Sequence, residues 1–153
     1  MIRHHAEVAW ALKEGEDFLK GRYSRAHEVG FDAPLTIAGS PSPHVVPKPW
    51  STEAAVDPEE MLTAAIAACH MLSFLQAARD VGRVVTAYRD AAEGTMEKNT
   101  EGGWWVSRVV LRPRIEFAGE PPDELDLAAL HHAAHEMCFI ANSVKTEVVV
   151  EPA

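Results

Sequence analysis

The order of apolar and polar positions already divides this chain into elements. Residues 4 to 12 alternate, with Ala6, Val8 and Trp10 on one side, and predict a strand. Gly15-Glu16-Asp17 turns the chain. Tyr23 to Phe31 predicts a second strand and Leu35 to Ala38 a short third, most simply joined as an antiparallel meander. Residues 40 to 53 hold four prolines and no period, so they predict a loop. A loop of that length in a small domain is often functional, and Trp50 suits an ordered flap over something apolar. A plain surface insertion is the competing reading.

The strongest helix signal follows. Asp57 is placed to cap it, Pro58 to fill its first position, and Glu60 to complete a variant capping box, while Gly82 marks the stop. Between them, Met61 to Leu75 is apolar on nearly every face, which predicts a helix buried on most sides. Val84 to Lys98 reads as a strand, turned by residues 99–103 into a second, Trp104 to Phe117. In the latter Val109, Leu111, Ile115 and Phe117 face one way and Arg108, Arg112, Arg114 and Glu116 the other, a sheet with one buried face. Pro121-Pro122-Asp123 opens a second helix from Glu124 to about Phe139, and Lys145 to Val150 closes the chain as a strand. The predicted order is β-β-β-α-β-β-α-β, an α+β fold in one domain, residues 1–153. A helix apolar all round is hard to bury in 153 residues, so a homodimer with a large apolar interface is expected.

Composition narrows the function classes. Hydrophobic residues make up 47% and charged residues 24%, ordinary for a globular protein. The net charge is −9, and the 14 Lys and Arg form no basic run, which argues against binding nucleic acid or an anionic membrane. No stretch reaches the roughly 20 consecutive apolar residues that span a bilayer. Met1 to Glu7 has no apolar core behind its positive charge, so the expected location is the cytoplasm.

Two cysteines, Cys69 and Cys138, lie on different predicted helices. In a reducing compartment such a pair is either buried apolar packing or a redox pair. A redox-active thiol must ionise, needs a cation to favour the thiolate, and needs a second thiol to trap its sulfenic acid. Arg25 is the leading cation, placed on the predicted second strand, with Arg22 and Lys20 as alternatives. Glu59, in the first helical turn, either serves the helix dipole or holds an arginine in a bidentate pair. His131 and His135 share a helical face at a spacing that can bind zinc, but His132 stands where a metalloprotease-type motif has its glutamate, and a polar helix face is the plainer reading.

From Pro58-Glu59-Glu60-Met61-Leu62 through Ala67-Ala68-Cys69-His70 the sequence resembles the OsmC/Ohr family of osmotically inducible and organic-hydroperoxide-resistance proteins. The resembling features are an Asp-Pro-Glu opening a helix and a small-residue run ending in Ala-Cys ten residues after the Glu. A second cysteine, Cys138, falls near the end of a later helix. The resemblance extends to the element order over the whole chain. Tyr23 to His27 and Cys138 to Thr146 are similar to a less well described subgroup.

The resemblance implies an intertwined homodimer that reduces peroxides, organic ones especially, without a cofactor. It implies a dithiol such as dihydrolipoamide as reductant, Cys69 as the peroxide-attacking thiolate and Cys138 as its resolving partner, supported by Glu59 and Arg25. Two departures bear on substrate preference: Phe139 follows the second cysteine where the family often has proline, and the 40–53 loop differs in length and composition. The rival readings are a non-enzymatic relative binding a small apolar ligand at the dimer interface, and a metal-binding protein using His131, His135 and Cys138. Ten helical residues span about 15 Å, so Glu59 is expected to serve the partner's active site rather than its own.

Overall fold

The N-terminal meander forms as its alternation predicts. Strands β1 (Ala6–Ala9), β2 (His27–Phe31) and β3 (Thr36–Gly39) pair antiparallel in that order, with Val8 opposite Val29 and Val29 opposite Ile37. The computed structural model describes residues 1–151, which divide into two compact units, Met1–Met61 and Leu62 onward. The strands are shorter than the alternation suggests. β2 begins only at His27, because the chain before it is spent on side chains holding backbone: Glu16 accepts from the N–H groups of Lys13 and Ser24, and Trp10 Nε1 donates to the Ser24 carbonyl. Arg25 is therefore not on a strand.

The proline-rich segment is ordered by turns. Val45 and Val46 N–H groups donate to the Ser42 carbonyl, Thr52 N–H to Ser40 Oγ, and the Arg25 N–H to the Trp50 carbonyl, while Gly39 and Val56 form an isolated parallel bridge. Trp50 is half-buried.

Helix α1 spans Pro58–Asp80. Its start is the reciprocal box read from the sequence: Glu60 N–H donates to Asp57 Oδ1 at 2.7 Å and Asp57 N–H to Glu60 Oε2 at 3.0 Å. At its end Gly82, at φ 75°, takes the left-handed conformation that lets Arg83 N–H reach the Ala78 carbonyl and Gly82 N–H the Arg79 carbonyl. Replacing Asp57 by alanine removes the acceptor for the Glu60 N–H. The expected cost is about 1 kcal/mol, read as a lowered urea midpoint at unchanged slope.

The two long strands predicted after α1 are each broken in two. Val85–Asp90 (β4) pairs with Pro113–Phe117 (β7), and Glu93–Lys98 (β5) pairs with Trp104–Leu111 (β6). The break comes where Asp90 Oδ1 takes the Arg112 N–H at 2.7 Å and Pro113 has no N–H to give to a ladder. The C-terminal strand β8 (Glu147–Val150) joins β6 in parallel, Val109 opposite Val148. The second helix, α2 (Glu124–Met137), is capped by Asp123, whose Oδ1 accepts the Asp126 N–H at 2.8 Å. A single 3-10 turn, Ala141–Ser143, lies between α2 and β8.

The class is α+β, and the core of the second unit is built around α1. Its buried residues Ile66, His70, Phe74, Ala77 and Ala78 recur every three to four positions, one stripe. Ile66 packs with Val109 and Leu111; Phe74, Ala77 and Ala78 pack with Leu130 and Ala134 of α2 and with Val85, Tyr88, Ile115 and Phe117. The opposite stripe, with Ala64, Ala65, Ala68, Leu72 and Leu75, is exposed. Burial on most sides, expected from composition, is thus not supplied by the chain alone. By length and composition alone α1 would also suffice to cross a bilayer, as the core helix of many globular proteins would.

Candidate active site

Cys69 sits at mid-length of α1, half-buried, and Cys138 is the residue on which α2 ends. The packing of Phe74, Ala77 and Ala78 against Leu130 and Ala134 brings the two helices together, and Cys69 lies near enough to Cys138 to act on its thiol. No disulfide joins them. They differ in access: Cys138 is 1% exposed, whereas Cys69 lines an open cleft.

The chain leaving α2 wraps around the Cys138 sulfur. The Ala141 N–H points at Sγ from 3.4 Å, and the Ile140 N–H lies near enough to favour negative charge on it. The Asn142 N–H binds the Cys138 carbonyl at 3.0 Å, and Asn142 Nδ2 binds the Glu136 carbonyl at 2.9 Å, fixing the turn against the end of the helix. Burial pushes the Cys138 thiol up, with the nearness of Cys69 as a further cause; the two N–H groups act the other way. Cys138 therefore holds its proton more firmly than a free thiol.

The cleft beside Cys69 has a volume of about 430 Å³ and is bounded by Leu72, Met137 and Phe139, with Ser73, Gln76 and Asn142 among its polar residues. Leu72 lies there as its helical position suggests, but Phe74 is turned into the core and fully buried. Phe139 is 82% exposed, so an apolar ring stands free at the mouth.

The supporting residues expected from the sequence belong to the first unit. Arg25 lays its guanidinium 4.1 Å from the centre of the Tyr23 ring, and its Nη1 donates to the Tyr23 carbonyl at 3.0 Å. Tyr23 in turn stacks on Phe18 at 4.7 Å and meets Trp10 edge-on at 5.5 Å. Lys20 pairs with Asp17 at 3.2 Å, and Arg22 bridges the same residue through its backbone. Glu59 occupies the first turn of α1.

The histidines are arranged differently from a metal site. His131 turns inward, and its Nδ1 lies 3.1 Å from His70 Nε2, with the two rings stacked at 5.4 Å and Phe74 against His131 at 4.6 Å. Both imidazoles are buried and neutral. Burial pushes His70 down to about 4, helped by the nearness of His131 and His135, and burial pushes His131 down to about 4. Among the described residues no three His, Cys, Asp or Glu side chains stand together as metal ligands. No local pattern pairs His70 with a residue 61 positions away. The only hint was that each histidine lies on the same helix as a cysteine.

These features agree with what the chain resembles. A family model described as OsmC-like protein matches residues 51–153. The solved structure of an OsmC-like protein of unknown function from Vibrio cholerae is 49% identical, with a TM-score of 0.95 and 100% of each chain covered. An organic hydroperoxide resistance protein OsmC from Legionella pneumophila is 18% identical, covering 99% of this chain and 96% of its own, with a TM-score of 0.72. The organic hydroperoxide resistance protein OhrB of Bacillus subtilis is 16% identical, covering 99% and 98%, with a TM-score of 0.67. No curated protein matches the sequence. With the family model matching most of the chain and a solved relative at 49% identity matched over its full length, this chain belongs to the OsmC-like family.

Proposed function

We propose that this protein is a thiol peroxidase acting on organic hydroperoxides, with Cys69 as the attacking thiolate and Cys138 as the resolving thiol. The observation that carries the reading is a pair of neighbouring thiols of unequal access, Cys69 facing a cleft and Cys138 buried. Cys69 attacks the terminal peroxide oxygen, the O–O bond breaks, and the alcohol leaves with a proton. The Cys69 sulfenic acid is then displaced by Cys138, forming the disulfide and releasing water. A dithiol of the dihydrolipoamide type restores both thiols, which suits the reducing cytoplasm where the reading places the protein. The named activities of the Legionella and Bacillus proteins favour the same class of chemistry. The test is consumption of an organic hydroperoxide in the presence of a dithiol, with intrachain disulfide formation followed by mass.

The uncovered apolar stripe of α1 supports a homodimer in which the central helices pack antiparallel about a twofold axis. In that arrangement Glu59 of one chain approaches Cys69 of the other, and the support for the thiolate is shared between chains. An active monomer in sedimentation would remove this part of the reading.

The cleft also predicts substrate preference. Leu72, Met137 and Phe139 offer apolar surface that hydrogen peroxide cannot use. Each methylene buried there contributes about 0.8 kcal/mol, so two give roughly a tenfold gain. A long-chain alkyl hydroperoxide is expected to exceed hydrogen peroxide in kcat/KM by at least about tenfold. Equal efficiencies would contradict an apolar substrate site.

A further inference from the structure

We propose that the Cys69–Cys138 disulfide is reset by attack of the dithiol reductant on the Cys69 sulfur, through the cleft, with the Cys138 sulfur leaving towards the N–H of Ala141. This rests on the peroxidase reading and adds to it the sulfur that the reductant attacks and the group that receives the departing one.

Two chemical requirements decide between the sulfurs. A thiolate displaces a sulfur in line with the S–S bond, so it must approach from the side away from the leaving sulfur. Cys69 borders the cleft of about 430 Å³ with Leu72, Ser73 and Phe139, so a reductant entering the cleft meets this sulfur. Cys138 offers no such access. Cys138 is 1% exposed, is absent from the cleft wall, and is wrapped by the turn that Asn142 ties to the Glu136 and Cys138 carbonyls. Reaching it would mean opening that turn.

The second requirement is a place for negative charge on the leaving sulfur. Burial opposes a thiolate at Cys138. The backbone N–H of Ala141, aimed at its Sγ from 3.4 Å, offsets that penalty while the sulfur departs. The electrons balance over two displacements. The first thiolate of the reductant forms a bond to Cys69 Sγ as the Cys69–Cys138 bond breaks, and the Cys138 thiolate takes up the proton released by that thiol. The second thiol of the reductant then attacks its own sulfur in the mixed disulfide, forms the cyclic disulfide, and expels Cys69, with its proton restoring the dithiol state. The reductant loses two electrons and the protein disulfide gains them.

The experiment uses full-length protein oxidised with diamide, so it does not depend on peroxide turnover. The linked protein is mixed with N-acetylcysteine, quenched with acid and N-ethylmaleimide at a series of short times, digested, and mapped by mass. Extrapolated to zero time, the N-acetylcysteine adduct is expected on Cys69 and the maleimide on Cys138, in at least about tenfold excess over the reverse pattern. An adduct mainly on Cys138, or shared equally, overturns the proposal, as does failure of diamide to link the two cysteines. Protein that diamide links with Cys69 as the attacked sulfur, but that hydroperoxide does not oxidise, would sink the peroxidase reading while leaving this assignment intact.

Discussion

Replacing Cys69 by serine is expected to bring hydroperoxide consumption down to the uncatalysed background, while Cys138→Ser consumes one equivalent per chain rapidly, a second slowly at excess, and then stops. The two outcomes differ because the structure gives the sulfurs different work. Cys69 faces the cleft and meets the peroxide; a serine there has no accessible thiolate to attack the O–O bond. Cys138 is buried, so its loss leaves the first oxidation intact and removes only the partner that closes the disulfide. The stranded sulfenic acid then faces further peroxide and proceeds to sulfinic acid. Stopped-flow measurement of peroxide loss and intact mass before and after an excess of hydroperoxide separate the cases: one added oxygen at a single equivalent, two at excess. Wild-type turnover by the Cys69→Ser protein, or by Cys138→Ser over many cycles, rules out the assigned roles.

The second large effect is on stability. The His70–His131 pair should make the protein acid-labile well above the range where carboxylates protonate. Both imidazoles are lowered from 6.5 to about 4 in the folded protein, chiefly by burial. Below pH 6.5 the unfolded chain therefore takes up protons that the folded chain refuses. Stability is full above pH 6.5, falls as the pH drops towards 4, and changes no further on this account below it. At about 1.4 kcal/mol per pH unit, each imidazole accounts for roughly 3 kcal/mol, and the pair for less than twice that because the two share one contact. Of this, the part between pH 6.5 and 5 is diagnostic. His135 is the other titratable side chain acting on His70. Urea unfolding at pH 7.5, 6.5, 5.5 and 5 measures the slope, and a variant carrying both His70→Leu and His131→Phe should flatten it. If the double variant loses stability with acid as steeply as the parent, the pair is not the cause.

Both effects come from residues that the chain keeps far apart, which is why they were legible to different degrees. The ends of α1 were fully written in its local sequence. Asp57, Pro58, Glu60 and Gly82 act on backbone groups within a few positions of themselves, so no tertiary knowledge was needed. The strand breaks were hidden for a related reason. Val109, Leu111, Ile115 and Phe117 keep the same alternation through the bend at Arg112, so the pattern does not register that the chain changes sheets. Arg25 was misplaced on a strand because alternation continues upstream of His27, where turns held by side chains take over.

The α+β class, the central helix and its caps, the two cysteines on separate helices, and the resemblance that points to their chemistry are all legible in the chain's own order of residues. All of these are carried by periodicity and by neighbours in the chain. The packing of α1 against α2 settles what local pattern leaves open: that the thiols are neighbours, that Cys69 faces a cleft while Cys138 is buried beneath the chain leaving α2, and that His70 Nε2 meets His131 Nδ1. Those facts depend on how α1 and α2 pack, a matter of crossing and rotation between elements many residues apart. Helical periodicity fixes which residues share a face, but not which face another helix will meet, nor how far a side chain upon it remains open to solvent.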